Sequence, residues 1–266
     1  MSGLDFLLRF VTSGNSEAAN SIKSITGAVA IMGTAFAAAG KIVSDVASQF
    51  DKSLRDISSI TDLTAKQFER MGESIRGISA LKDVGDSAKE VAKAVQVLVG
   101  SGFDSLADSM KIATIASQGA TAGNVDTATS VKLLTGLMNS YNTKTVPDAI
   151  RLNDEMFTIV REGSVEYKDL AANLSQLLPI FSSVGISTKE MGAAIIEMSK
   201  TSMPMAQIET GLAGLGRQLA AATPEAKEFA KTVLNFDLSE ANLAVSGLGG
   251  MMDQLYKATG GSLELI

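Results

Sequence analysis

Apolar residues return every seven positions from Ile22 to Ile60, over more than five heptads. One line of the repeat runs Ile22, Val29, Phe36, Val43, Phe50 and Ile57; a second, three residues on, runs Ile25, Met32, Ala39, Val46, Ser53 and Ile60. An a/d seam sustained this long, with one polar interruption at Ser53, predicts a single coiled-coil-like helix of about 58 Å at about 1.5 Å per residue. Where a dimeric zipper would carry Glu and Lys beside the seam, this chain has Ala28, Gly33, Ala35, Gly40, Ile42, Ala47 and Leu54. The apolar face is therefore wide and made of small residues, which suits a bundle of three or more chains or burial in a larger assembly. Gly27, Gly33 and Gly40 each cost a helix interior about 1 kcal/mol relative to Ala, so the helix needs partners. Self-association is expected to rest on Ile22, Ile25, Val29, Met32, Phe36, Val43, Val46, Phe50 and Ile57.

The rest of the chain reads as ordinary helices. Before the seam, Leu4, Phe6, Leu8 and Phe10 alternate, which predicts a short extended arm ended by Ser13-Gly14-Asn15. After it, Thr64 with Gln67, Ser87 with Glu90 and Ser187 with Glu190 have the capping-box spacing, in which a hydroxyl and a side-chain carbonyl satisfy orphan amides reciprocally. The apolar spacing that follows is helical: Phe68, Met71, Ile75, Ile78; Val91, Ala94, Val95, Leu98; Val131, Leu134, Leu137, Tyr141; Leu152, Met156, Ile159; Leu170, Leu174, Leu177, Leu178, Phe181; Met191, Ala194, Ile195, Met198. Pro147 and Pro224 suit a first helical turn, Pro204 a loop, and Pro179 a kink within a helix. The predicted fold is all-α: an extended arm over 1–15, the long heptad helix over 16–60, a multi-helix core over 61–240 and a Gly-rich segment over 241–266.

A similarity recurs at an offset of 100 residues: Val84-Gly85-Asp86-Ser87-Ala88-Lys89-Glu90-Val91 lines up with Val184-Gly185-Ile186-Ser187-Thr188-Lys189-Glu190-Met191. It fits a duplicated helical hairpin. It also fits two independent helix-Gly-Ser-helix junctions, because Gly closes one helix and Ser with Glu caps the next.

Composition narrows the function. With 23 basic and 29 acidic residues the net charge is -6, the wrong sign for non-specific nucleic-acid binding, so direct DNA or RNA binding is not expected. Cysteine and histidine are both absent. That removes disulfides, thiolate nucleophiles, zinc sites of the usual N/S kind and the commonest general base. The 24 Gly and 12 Met, with no Trp, suit close helix packing and adaptable interfaces more than a rigid pocket. Gly211-Leu-Ala-Gly-Leu-Gly216-Arg217-Gln218 copies the glycine spacing of a phosphate-cradling loop, but Arg stands for Lys and Gln for the magnesium-binding hydroxyl, and no strand precedes it. Its glycines are read instead as places where two helices touch. Asp154-Glu155 and Asp83/Asp86 are neighbours typical of solvated faces and caps, and no apolar setting points to acid/base work. A structural protein is expected, not an enzyme, with no cofactor and no metal.

From Ser24 to Gly40 there are 17 residues without a charge, bracketed by Lys23 and Lys41, at the lower limit for a membrane span. About half of them are Ala or Gly, and the heptad runs straight through into the charged half. The alternative reading is a membrane-active helical protein that inserts residues 24–40 into a bilayer. A signal peptide ending at Ala37-Ala38-Ala39 would start too deep and lacks a basic n-region.

The order of these features resembles the N-terminal part and helical core of the phage tail tape measure protein family. The resemblance begins with the arm from Leu4 to Val11 and the Ala/Gly-rich helix running into Phe50-Asp51-Lys52-Ser53-Leu54-Arg55-Asp56-Ile57. It continues through Ser87-Ala-Lys-Glu-Val-Ala-Lys-Ala-Val with Gly102-Phe103, Asn153-Asp154-Glu155-Met156, and Leu170-Ala-Ala-Asn-Leu with Pro179 and Val184-Gly185-Ile186-Ser187. It is clearest from Thr188 to Asn235, in Glu190-Met191-Gly192-Ala193-Ala194, Glu209-Thr210-Gly211-Leu212, Leu219 and Thr223-Pro224-Glu225-Ala226. These are packing and capping residues, so their order is what is specific. Ser202-Met203-Pro204-Met205 departs from the smaller Ala/Gly-rich stretch usual there. Family members also run much longer than 266 residues, and the chain stops at Gly260-Gly261-Ser262-Leu263-Glu264-Leu265-Ile266 without a helix stop signal, so a fragment or a shortened member is expected.

The resemblance implies a protein that multimerises in the tail lumen, templates tail tube assembly and length, and leaves at DNA ejection. It implies other copies of itself, the tail tube protein, tail tip or baseplate hub proteins, tail assembly chaperones and the host inner membrane as partners. It places the chain in the virion, and in the host cytoplasm during assembly.

Overall fold

The computed structural model describes residues 36–85, 87–103 and 105–259, and their side chains except those of 36–46 and 240. The described residues form eleven α-helices and no strand: α1 (Phe36–Ser59), α2 (Ala65–Ser79), α3 (Ala88–Gly100), α4 (Leu106–Ala122), α5 (Thr127–Ser140), α6 (Val146–Glu162), α7 (Tyr167–Ser183), α8 (Thr188–Ser199), α9 (Met205–Ala220), α10 (Pro224–Thr232) and α11 (Glu240–Ala258). The all-α expectation is met over this range. The predicted arm and the beginning of the heptad helix lie outside it; within it α1 runs to Ser59, one residue short of the expected boundary at 60.

Hydroxyl caps set most of the helix starts. The three expected capping boxes are present in full, at Thr64 with Gln67, Ser87 with Glu90 and Ser187 with Glu190. Ser105, Thr145, Thr223 and Ser239 cap α4, α6, α10 and α11 by accepting from the amide three residues on. Asp126 does the same for Thr129 at the start of α5. A hydroxyl or carboxylate in this position satisfies one of the amides that a helix start leaves without an intrahelical partner. Pro147 and Pro224 sit in the first turns of α6 and α10, Pro204 precedes α9, and Pro179 lies inside α7.

The chain divides into two compact units, Met1–Val131 and Lys132–Ile266. The division falls within α5, inside the stretch 61–240 expected as one core. In the first unit α3 packs on α1, α2 and α4. Its interior is Ile57, Met71, Ile75, Ile78, Val91, Val95, Leu98 and Ile112, all essentially inaccessible to water. In the second unit α7 packs along α9, α6 along α8, and α8 also meets α9 and α11. Leu152, Met156, Leu170, Leu174, Leu177, Phe181, Met191, Ile195 and Ile208 fill that core. The stretch 241–266, set apart in the sequence as Gly-rich, is helical as far as Ala258 and joins this unit through α8.

Candidate functional site

Of the nine seam residues, Ile22, Ile25, Val29 and Met32 lie outside the described residues, and Phe36, Val43 and Val46 lie in α1 with side chains outside the description. The remaining two are Phe50 and Ile57. Both are buried by the first unit's own helices, at 6% and 0% exposure. Ser53 and Leu54 share their face at 5% and 3%, whereas Ala47, Ser48 and Gln49, one turn earlier, are exposed. Arg76 of α2 stacks its guanidinium over the Phe50 ring, 4.9 Å from the centroid, and Lys89 of α3 hydrogen-bonds Gln49. From Phe50 on, the apolar sevens therefore serve to dock α1 on α2 and α3. Ile60, the next member of the second line, is half exposed.

The glycine triad at 211, 214 and 216 lies within α9, so its amides belong to a helix and not to a loop that could cradle phosphate. The expected helix contact falls on one of the three. A Cβ at Gly216 would lie 2.6 Å from Cγ2 of Ile180, whereas at Gly214 it would meet nothing within 4 Å and at Gly211 only the Met198 terminus at 3.7 Å.

Two of the carboxylates weighed in the sequence, Asp83 and Glu155, have structural partners. Arg151 joins Asp148 at 3.3 Å and Glu155 at 2.9 Å along one face of α6, and Asp83 accepts from the Gln118 amide at 2.7 Å. Asp86 lies outside the described residues. Among the described residues no cluster of three or more His, Cys, Asp or Glu is spaced to hold a metal. No helix among them is long and apolar enough to cross a membrane; most of residues 24–40 lies outside the description.

Two polar residues stand out around the second junction of the 100-residue repeat. Tyr141 donates its hydroxyl to the Ile186 carbonyl at 3.0 Å. Burial, with smaller contributions from the negative charges of Glu155 and Glu190, pushes its phenol up to about 12. Burial of the Glu190 carboxyl would raise it, but hydrogen bonds from the Ser187 hydroxyl and amide and from the Leu248 amide outweigh that and hold it below the usual range. Both arrangements order the junction between α7 and α8.

The described surface also carries apolar residues in the open. Among the described residues, five of the seven exposed large hydrophobics fall in the C-terminal part of the second unit: Phe229 on α10, Val233 at its C-cap, and Val245, Met252 and Tyr256 on α11. A shallow groove of about 480 Å³ also opens beside the Ser202–Met205 junction, lined by Asp169, Asn173, Met203 and Pro204. Neither was singled out in the sequence, because an apolar residue in a helical pattern is read as core until its neighbours are known.

No curated protein and no solved structure matches the chain. Residues 78–264, well over half of the 266, match the family model described as Phage-related minor tail protein, so the chain belongs to the phage-related minor tail protein family.

Proposed function

We propose that this phage tail protein is a tape measure segment, one that multimerises in the tail lumen, templates the assembly and length of the tail tube and is released at DNA ejection. The observation that carries the reading is that the first unit buries the last two members of the heptad line, Phe50 and Ile57. The apolar sevens are buried by the first unit from Phe50 onward, while the same phase continues upstream through Val46, Val43 and Phe36 to Ile22. A helix anchored at one end to a folded unit presents the rest of its seam to other copies in a fixed orientation. Three or more such copies would bundle through Ile22, Ile25, Val29, Met32, Phe36, Val43 and Val46, with Phe50 and Ile57 fixing the angle at which the bundle leaves the body. The exposed apolar residues of α10 and α11 suit contacts with the tail tube protein or tip proteins, or with a chaperone during assembly.

Two measurements test this. Sedimentation of the chain should give an assembly of three or more copies that Phe36→Asp reduces towards monomer; a stable monomer unchanged by that substitution overturns the multimer. Electron microscopy of particles built with an in-frame helical insertion in the protein should show longer tails. Unchanged tail length with normal particle yield overturns the templating role.

A further inference from the structure

α11 is not one helix in shape, although its sequence is written as one. Gly247 breaks it with φ 68° and ψ 172°, so that Glu240–Ser246 and Leu248–Ala258 are two segments. The side chains of Asn242 and Gln254 are hydrogen-bonded at 2.9 Å. Twelve residues apart on a straight helix they would be separated by about 18 Å, so the element is bent back on itself as a hairpin. Ser246 completes the tie, donating to Asn242 Oδ1 at 2.8 Å and accepting from Gln254 Nε2 at 2.9 Å.

A residue from elsewhere in the unit holds the bend. Glu190 Oε2 accepts from the Ser187 amide at 3.0 Å and hydroxyl at 2.7 Å and so closes the start of α8. Its other oxygen, Oε1, accepts from the Leu248 amide at 2.8 Å and so closes the start of the second segment of α11. One carboxylate caps two helices 58 residues apart. Position 247 must then be glycine twice over. Its positive φ is strained for other residues, and a Cβ there would lie 2.6 Å from Glu190 Oε1.

The apolar spacing ignores the bend. Leu238, Ala241, Val245, Leu248, Met252 and Leu255 follow one another at alternating intervals of three and four, the a/d pattern of a single straight helix. The hairpin splits that line, leaving Val245 88% and Met252 42% exposed while Leu248 is buried. Local pattern and observed shape disagree: the bent form is held by this set of side-chain hydrogen bonds together with the burial of Leu243 on the first segment and Leu248 and Met251 on the second.

We propose that α11 is a two-state element: a hairpin latched by Glu190, and a single straight helix through Gly247 in which the divided apolar line becomes continuous. Straightening gives up the Glu190–Leu248 and Asn242–Gln254 bonds and the burial of Leu248 and Met251. It gains the intrahelical bonds across the hinge and lets α11 extend to about 28 Å.

The absence of cysteine makes the test direct. With spin labels at Ala241→Cys and Tyr256→Cys, pulsed electron paramagnetic resonance should read a short distance in the otherwise unaltered chain. A straight helix puts the same two backbones about 22 Å apart. Glu190→Gln and Gln254→Ala should each add the longer population, and Gly247→Ala, which favours helix and crowds the latch, should make it the majority. Gln254 is exposed, so its variant keeps the test alive should the others fail to fold. If all variants that retain native circular dichroism keep the single short distance, the hinge is overturned.

Discussion

Cγ2 of Ile180 occupies the space that a Cβ on Gly216 would need, only 2.6 Å away, with the Phe181 ring behind it at 3.1 Å. Here the side chains of α7 press against the backbone of α9. Ile180 is β-branched and stiff on a helix, and Phe181 is fully buried, so neither can swing aside. Ala should gain about 1 kcal/mol in helix propensity but lose about 1–3 kcal/mol to overpacking. The net expectation for Gly216→Ala is a loss of up to about 2 kcal/mol in urea unfolding. Gly214→Ala, with nothing in reach, should gain up to about 1 kcal/mol. Equal stability of the two variants would contradict the assignment of the close contact to Gly216.

Tyr141 should show itself in a titration. Its phenol is pushed up to about 12 from 10.0, so the folded state favours the protonated form. The stability this confers is complete below pH 10 and is lost as pH rises through about 12. Absorbance at 295 nm should contain a step near 12 that Tyr141→Phe lacks. The substitution should also cost about 1–2 kcal/mol at pH 7, because the Ile186 carbonyl loses its donor. If Tyr141→Phe has unaltered stability and the same alkaline step, the hydroxyl does not hold the α7–α8 junction.

Much of this was legible in the residues. The capping boxes at Thr64, Ser87 and Ser187 are local chemistry, settled within four residues, and the stripes of α2, α3, α6, α7 and α8 lie on the inner face their period defines, with Phe68, Ala194 and Met198 only half-buried. α4 was not marked by its period, because Ser109, Ile112, Ala113, Thr114, Ile115, Ala116 and Ser117 are all buried and so give no polar face to contrast with an apolar one. The division within α5 was hidden for another reason: helical spacing says that a face is covered, not by which neighbour. The same limit applies to the heptad, where Phe50 and Ile57 read like their upstream counterparts yet pack on their own unit. The bend of α11 could not be read at all, since the carboxylate that holds it is 58 residues away.

The two junctions of the 100-residue repeat should respond unequally. Glu90 caps α3 through the Ser87 amide and hydroxyl, both at 2.8 Å, whereas Glu190 caps α8 and also holds Leu248. Glu90→Ala should cost about 0.5–2 kcal/mol. Glu190→Ala should cost about 1–3 kcal/mol more, because the part-buried Leu248 amide loses its acceptor. The Glu190 carboxyl is held below its ordinary 4.5, so its contribution is present above that pH and is lost as pH falls through the lower folded value. Urea unfolding of the native chain and Glu190→Gln between pH 7 and pH 3 should therefore converge at the acid end. Parallel curves would show that the carboxylate charge plays no part.

The heptad can be cut into its two roles by substitution. Phe50 and Ile57 are buried within the first unit, Phe50 beneath the Arg76 guanidinium, so truncating either leaves a cavity in a folded body. Phe50→Ala should cost about 3–5 kcal/mol and Ile57→Ala about 2–5 kcal/mol of unfolding free energy, whatever the protein concentration. Phe36→Asp and Val43→Asp change the same seam upstream of Phe50. Their effect should appear instead as a loss of association, with a melting temperature that no longer rises with protein concentration. Thermal unfolding across a hundredfold range of concentration separates the two outcomes. If Phe36→Asp lowers stability as much as Phe50→Ala and does so equally at every concentration, the upstream seam packs within its own chain and the anchored-bundle arrangement fails.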